Sequence, residues 1–209
     1  MAGIVDLRNK SPYAGTGSLT REQFLFFEMR TTAKLMAQGL SDEEIINKIY
    51  DENLYQFPTE KSIRLIATGC IRRLKALNDE MLVAALANQP TEVAKQICLY
   101  AMMKQSKLVW DFMVMVVGDK FRQKDLSFGK IDANTFLMRL QEQDDYIASW
   151  SAATVAKIRQ VLIKILVENE YLDNVNSEHL NPVLLSRELE NGIRNNNDEV
   201  AFPAFNYFE

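Results

Sequence analysis

Helix-starting signals recur along this chain at spacings that leave little room for any other element. Thr20-x-x-Gln23 and Ser41-x-x-Glu44 read as capping boxes. In such a box a hydroxyl accepts a backbone N–H, and the acid or amide three residues on reaches back to the cap. Thr59, Asn78 with Asp79 and Glu80, Pro90-Thr91, Asp132 and Ser151 supply further starts. Period-two alternation, the strand signature, is confined to residues 171–182, which read as a tight hairpin or wing. The pattern predicts an all-α multi-helix bundle of about nine or ten helices, compatible with a small winged-helix-like hairpin near the C-terminus.

The expected helices cover 20–39, 41–53, 59–77, 78–87, 90–103, 107–123, 132–141, 151–169 and 184–193. Residues 124–131 lack periodicity and mark the best boundary. The chain therefore divides into an N-terminal region 1–124 and a C-terminal region 132–195 with a tail 196–209, or forms one continuous unit. The run Asn195-Asn196-Asn197-Asp198-Glu199 predicts a flexible break before that apolar tail.

Composition narrows the function classes. With 47% hydrophobic and 25% charged residues over 209 positions, the chain can bury a sizeable core. A net charge of -4 argues against a generic nucleic-acid coat but leaves room for a local basic groove. The most apolar stretch, 108–118, is about half of the roughly 20 residues a membrane span needs, and Asp111 interrupts it. Residues 1–20 contain no apolar leader segment. A cytoplasmic protein without a membrane partner is expected. Cys70 and Cys98 sit in apolar helical patterns and read as buried, reduced thiols.

Catalytic chemistry has little to build on. The only histidine is His179, so neither a zinc site nor a Ser-His-Asp arrangement has a plausible set of residues. Gly15-Thr16-Gly17-Ser18 resembles a phosphate loop superficially, without the lysine such a loop needs. The carboxylates at Asp42, Glu43 and Glu44 and at Asp144 and Asp145 are explained by capping and solvation. No enzyme activity, cofactor or metal is expected.

Binding chemistry has more. On the helix 59–77, Lys61, Arg64, Thr68, Arg72 and Lys75 fall within one narrow arc. Ile63, Ile66, Ala67, Cys70, Leu74 and Leu77 take the opposite side, so a basic ridge backs onto a core face. A second cluster, Lys157, Arg159 and Lys164, lies on the helix 151–169, where Lys157 and Lys164 share a face. A third, Lys120, Arg122, Lys124 and Lys130, leaves the apolar helix, where cations also suit the helix dipole. Phe24, Phe26 and Phe27 would stack on bases only if exposed, and their spacing points to the core.

Together these residues resemble the BrxA-like family of BREX bacteriophage-exclusion systems. The resemblance spans residues 15–190 and rests on the order and spacing of several pieces. They are Gly17-Ser18-Leu19, then Asn53-Leu54-x-Gln56-x-x-Thr59-x-x-Ser62-x-Arg64, and Arg73-Leu74-x-x-Leu77. Asp111-Phe112, Lys120-Phe121, Thr154-x-x-Lys157-x-Arg159-Gln160-x-Leu162, Leu180-x-Pro182 and Leu185-Ser186 follow. The family's acidic positions after Asp111-Phe112 are filled here by Met115 and Asp119, and the tail falls outside the pattern. The resemblance implies an all-helical chain, partly similar to the NusB antitermination fold, that binds DNA within a phage-defence system and catalyses nothing. Its implied partners are duplex DNA and other defence proteins.

The cations lie on helix faces without the Asn, Gln and Arg groupings that read base edges. The expected contact is therefore with the phosphate backbone, through Lys61, Arg64, Arg72, Lys75, Lys120, Arg122, Lys157, Arg159 and Lys164. The alternative is a protein-interaction scaffold within the defence complex, without direct DNA binding.

Overall fold

The computed structural model describes residues 11–208; the opening residues 1–10, part of the stretch read as leaderless, lie outside the described residues. Eleven α-helical segments follow one another and, among the described residues, no strand forms. They are α1 (Phe26–Ala37), α2 (Asp42–Asp51), α3 (Glu60–Ala76), α4 (Glu80–Asn88), α5 (Thr91–Gln105) and α6 (Lys107–Phe112). Then come α7 (Gly118–Gln123), α8 (Lys130–Gln143), α9 (Asp145–Ala148), α10 (Ala152–Glu168) and α11 (Arg187–Asn195). A π turn, Met113–Val117, joins α6 to α7 into one rod, and two 3-10 segments, Ala14–Thr20 and Glu199–Phe205, flank the set. No helix among the described residues is long and apolar enough to cross a membrane.

Most helix starts follow their capping chemistry. Ser41 accepts from the Glu44 N–H while the Glu44 carboxylate accepts from the Ser41 N–H, closing the box at α2. Thr59, Asp79, Ser151 and Ser186 cap α3, α4, α10 and α11 with their side-chain oxygens. Asp132 acts from inside α8, where its carboxylate accepts from the N–H of Gly129. After α1 the chain turns at Gly39 with φ +82, a conformation that glycine adopts without strain.

Thr20 does not start a helix. Its hydroxyl donates to the Gly17 carbonyl, and α1 begins only at Phe26, after Leu25 in the left-handed region at φ 53. The cause is Arg73, which lies in α3 and is fully buried. Its Nη1 donates to the Gln23 carbonyl at 2.8 Å, its Nη2 to the Glu22 carbonyl, and its Nε to Gln105 Oε1 at 3.0 Å. Carbonyls turned onto a buried guanidinium cannot point along a helix axis. Glu22 is itself 3% exposed, and its carboxylate takes Arg72 Nη2 at 2.9 Å and lies 3.9 Å from Arg73 Nη2. Gly69 makes the space, since a Cβ there would stand 2.8 Å from Glu22 Oε2.

Two further expectations need correction. Residues 171–182 form turns rather than a hairpin. The segment is fastened to the preceding loop instead: Phe128 N donates to the Glu178 carbonyl, and Leu180 N to the Leu126 carbonyl. Ser127 and His179 form an isolated bridge there. Burial of Leu172 and Leu180 pins the segment flat against the core, which removes the freedom a wing requires.

The asparagine run is not a flexible break either. Asn196 Nδ2 donates to the carbonyls of Leu77 and Gly192, and Asn197 takes the left-handed conformation that ends α11. Asp198 then accepts from the Tyr100 hydroxyl and the Lys104 ammonium, each at 2.6 Å. Phe202 and Phe205 are buried, and Tyr171 donates to the Ala204 carbonyl at 2.9 Å. Buried apolar residues from α1 through the last 3-10 segment form one cluster.

The buried groups make two measurable demands. Removing one partner of a buried ion pair leaves the other uncompensated, so Arg73→Leu is expected to cost about 3–5 kcal/mol. Urea unfolding followed by circular dichroism checks it. Cys70 and Cys98 are free and buried, and burial pushes the Cys70 thiol up to about 12 and raises that of Cys98. At about pH 8, where a free thiol begins to ionise, neither should react with a disulfide reagent until denaturant is added, when both should.

Candidate nucleic-acid interface

The α3 ridge has the two faces expected of it. Ile63, Ile66, Ala67, Cys70, Leu74 and Leu77 are buried, whereas Lys61, Thr68, Arg72 and Lys75 are exposed. Yet three of its four cations meet carboxylates. Arg64 donates through Nε to Glu60 at 2.9 Å and through Nη1 to Asn47 at 3.2 Å, with its guanidinium 4.8 Å over the Tyr50 ring. Lys75 reaches Asp42 at 2.6 Å, and Arg72 is held by Glu22. Lys61 alone on this ridge has no ion-pair partner among the described residues. Glu22 and Asp42 arrive from other segments, which a projection of one helix cannot reveal.

The third cluster is also neutralised in part. The Lys120 ammonium lies between Asp125 at 3.2 Å and Asp132 at 3.1 Å, with the side chain 16% exposed. Burial pulls its pKa down, but the two carboxylates outweigh burial and hold it above the ordinary value. Hydrogen bonds from Ser127, with Lys120 behind them, lower the Asp125 carboxyl to about 2. Arg122 pairs with Asp119. Lys124 ends α7 at φ 58 and is exposed.

The cations around α10 differ in kind. Lys157 contacts Gln160 Oε1 at 3.4 Å, Arg159 donates to Asn134 Oδ1 at 2.7 Å, and Lys130 donates to Asn176 Oδ1 at 2.9 Å. Every one of these partners is a neutral amide, so the three positive charges stay uncompensated. Lys164 is exposed, also without an ion-pair partner among the described residues.

Lys130, Lys157 and Arg159 line one cleft of about 640 Å³ together with Ala153, Ala156 and Val175. Ala153 and Ala156 lie on the first turns of α10, and Val175 comes from the 171–182 segment. A second cleft of about 420 Å³ shares Ala153 and Lys157 with the first and continues over Thr16, Gly17 and Thr20, beside Tyr146 and Trp150. A third, of about 610 Å³, shares Gly17 and Thr20 with the second and reaches Ser18, Arg21 and Arg72.

The three concavities thus run into one another. Among the described residues, five cations line them, no carboxylate does, and of the five only Arg72 is in an ion pair. By contrast, the cleft between α5 and the segment after α10 is lined by Glu92, Glu170 and Asp173, and that beside α4 by Asp79 and Glu80.

Arg72, Lys157 and Arg159 are therefore brought together, while Lys61, Arg64 and Lys75 line none of the three clefts, nor do Lys120, Arg122 and Lys164. Arg21, Tyr146 and Trp150 were not singled out from the sequence. Arg21 follows Thr20, which looked like a helix cap, and the aromatic pair resembles core-forming residues at helical spacing. The one signal they gave was their neighbour Gly15-Thr16-Gly17-Ser18, whose four residues line the strip although it lacks a phosphate-loop lysine. Phe24 is buried and Phe27 is 54% exposed, and neither lines a cleft of the strip. Among the described residues, no three His, Cys, Asp or Glu side chains gather as metal ligands would.

The chain is similar to known proteins in sequence and in fold. The BREX protein BrxA of Bacillus cereus (strain H3081.97) is 35% identical over 150 residues, which is 72% of this chain and 74% of that protein. The BREX protein BrxA of Escherichia coli O9:H4 (strain HS) is 25% identical over 87% of this chain and 84% of its own length. The fold matches the crystal structure of an uncharacterized protein from Magnetospirillum magneticum with a TM-score of 0.75. The superposition covers 90% of this chain and 96% of that one, at 24% identity. The BrxA family model matches residues 13–197, from the turn that lines the clefts to the end of α11 and its cap. The chain belongs to the BrxA family.

Proposed function

We propose that this chain is a non-catalytic accessory protein of a bacterial BREX phage-defence system and that it holds duplex DNA by the phosphate backbone. The family gives the defence role its support. The observation that carries the DNA reading is the carboxylate-free strip, on which Arg21, Lys130, Lys157 and Arg159 stand without ion-pair partners among the described residues.

Physical chemistry favours those cations over the ridge. A lysine already opposite a carboxylate must exchange that contact for a phosphate, so the net gain is small. A lysine held only by an amide keeps its counterions until phosphate displaces them, and that release drives binding. Screening at physiological salt confines each exposed charge to about 8 Å, so a net charge of -4 does not cancel a local strip. The N-terminal turn of α10 opens onto the first two clefts, where backbone N–H groups add to the attraction for an anion. Contacts of this kind fix position on the duplex and are indifferent to sequence.

Binding to duplex DNA should weaken steeply with salt, at a log-log slope of roughly -0.9 per phosphate neutralised. Lys130→Ala, Lys157→Ala and Arg159→Ala combined are expected to flatten that slope by about two to three units, nearly independent of DNA sequence. Arg64→Ala with Lys75→Ala, which removes acid-paired cations, should change it by less than about one unit. A salt series in fluorescence anisotropy measures both. An unchanged slope in the triple variant would remove the strip as the DNA site. No binding by the native protein at low salt would leave the scaffold function, in which the cations meet an acidic protein surface.

A further inference from the structure

At the middle of the strip the cations give way to aromatic rings. Tyr146 and Trp150 wall the second cleft, meeting edge to face with ring centroids 5.8 Å apart, and both are half-buried. Thr16 lines it as well. This residue is only 2% exposed, yet its hydroxyl has no hydrogen-bond partner among the described residues. The hydroxyl oxygen keeps some access to solvent and is open to a group entering the cleft. Lys157 stands on the boundary with the first cleft, and Gly17 and Thr20 on the boundary with the third, which holds Arg21 and Arg72.

We infer that this cleft receives a single unpaired nucleobase, which stacks on Trp150 beside Tyr146 and meets the Thr16 hydroxyl while its flanking phosphates lie on the cations of the two neighbouring clefts. The inference rests on the strip being the DNA-binding surface and adds to it a preference among DNA structures. The aromatic rings offer a face for stacking, which is tolerant of base identity because every base has a π-face. A hydroxyl both donates and accepts, so Thr16 suits either kind of base-edge group. Neither neighbouring cleft has an aromatic lining. A base inside an intact duplex is stacked on its neighbours and cannot enter. The protein therefore favours DNA in which one base has already left the stack, where the unstacking cost is least.

Three duplexes of one sequence test this: fully paired, carrying one extra unpaired thymidine at the centre, and carrying an abasic residue in place of that thymidine. The native protein is expected to bind the thymidine bulge about tenfold more tightly than the paired duplex, and the abasic bulge no better than the paired one. Trp150→Ala should bring the bulged-to-paired affinity ratio to about one, Trp150→Phe should keep most of the preference, and Thr16→Val should lose part of it. If Trp150→Ala does not fold, Trp150 fluorescence in a Trp110→Phe variant decides: the thymidine bulge quenches it and the abasic bulge does not. Equal affinity of the native protein for all three duplexes, with steep salt dependence retained, overturns the base pocket and leaves the strip standing. An abasic bulge bound as tightly as the thymidine bulge also overturns it, since the preference would then be for flexible DNA. Failure to bind any of the three overturns the strip and the pocket together.

Discussion

A guanidinium with no access to water has to be satisfied by the protein, and much of the N-terminal half is arranged to satisfy Arg73. Its donors are taken up by two backbone carbonyls and one side-chain amide, from residues 22, 23 and 105. That requirement turns the stretch before α1 away from helix, forces Leu25 into the left-handed region and leaves room at position 69 only for glycine. Glu22 links the core to the surface. Its carbonyl serves the buried Arg73, while its carboxylate holds Arg72 at the edge of the third cleft. The place of the 3-10 turn Ala14–Thr20, and so of two of the three clefts, follows from a polar contact in the interior. Such contacts are conditional: fully satisfied they fix a unique arrangement, and with one partner missing they destabilise it.

On the outside, pairing matters more than count. The ridge of α3 sets Lys61, Arg64, Arg72 and Lys75 along one face, yet Glu60, Glu22 and Asp42 answer three of them. Around α10, Asn134, Gln160 and Asn176 hold the cations in place without cancelling their charge. An amide positions a lysine or arginine for an incoming anion and does not compete for it as a carboxylate does. An acidic protein can therefore present a local positive strip, provided that its carboxylates are kept elsewhere, as they are in the clefts beside α4 and after α10.

The rod 107–123 and the last 3-10 segment tie the first and last described segments to one core. Asp111, 5% exposed, is held by Lys107 and accepts from the Tyr13 hydroxyl at 2.8 Å, which fastens the N-terminal segment to the rod. The π turn Met113–Val117 keeps both Phe112 and Phe121 on the buried side. Phe112 then packs against Phe128 and Phe136, and Phe121 against Tyr171, so residues from both sides of the 124–131 loop share their apolar neighbours.

How much of this was legible depended on whether the physics was local. Caps at Ser41, Thr59, Asp79 and Ser151, the stop at Gly39 and the apolar face of α3 act within a few residues, and the one-dimensional pattern was enough to read them. The all-helical class, the family and the burial of both cysteines followed from the same short-range periodicities and spacings. The start of α1, the path of 171–182 and the docking of the tail were not legible. Each was settled by a partner far along the chain: Arg73 for residues 22–25, Leu126 and Phe128 for 178–180, Tyr100, Lys104 and Leu77 for 196–198. The same division holds at the candidate site. Sequence alone determined that this chain is a helical protein with cations segregated onto helix faces. Only the tertiary structure decided which cations meet carboxylates and which stay free, because an ion pair depends on distance in space and a helical projection contains only one helix.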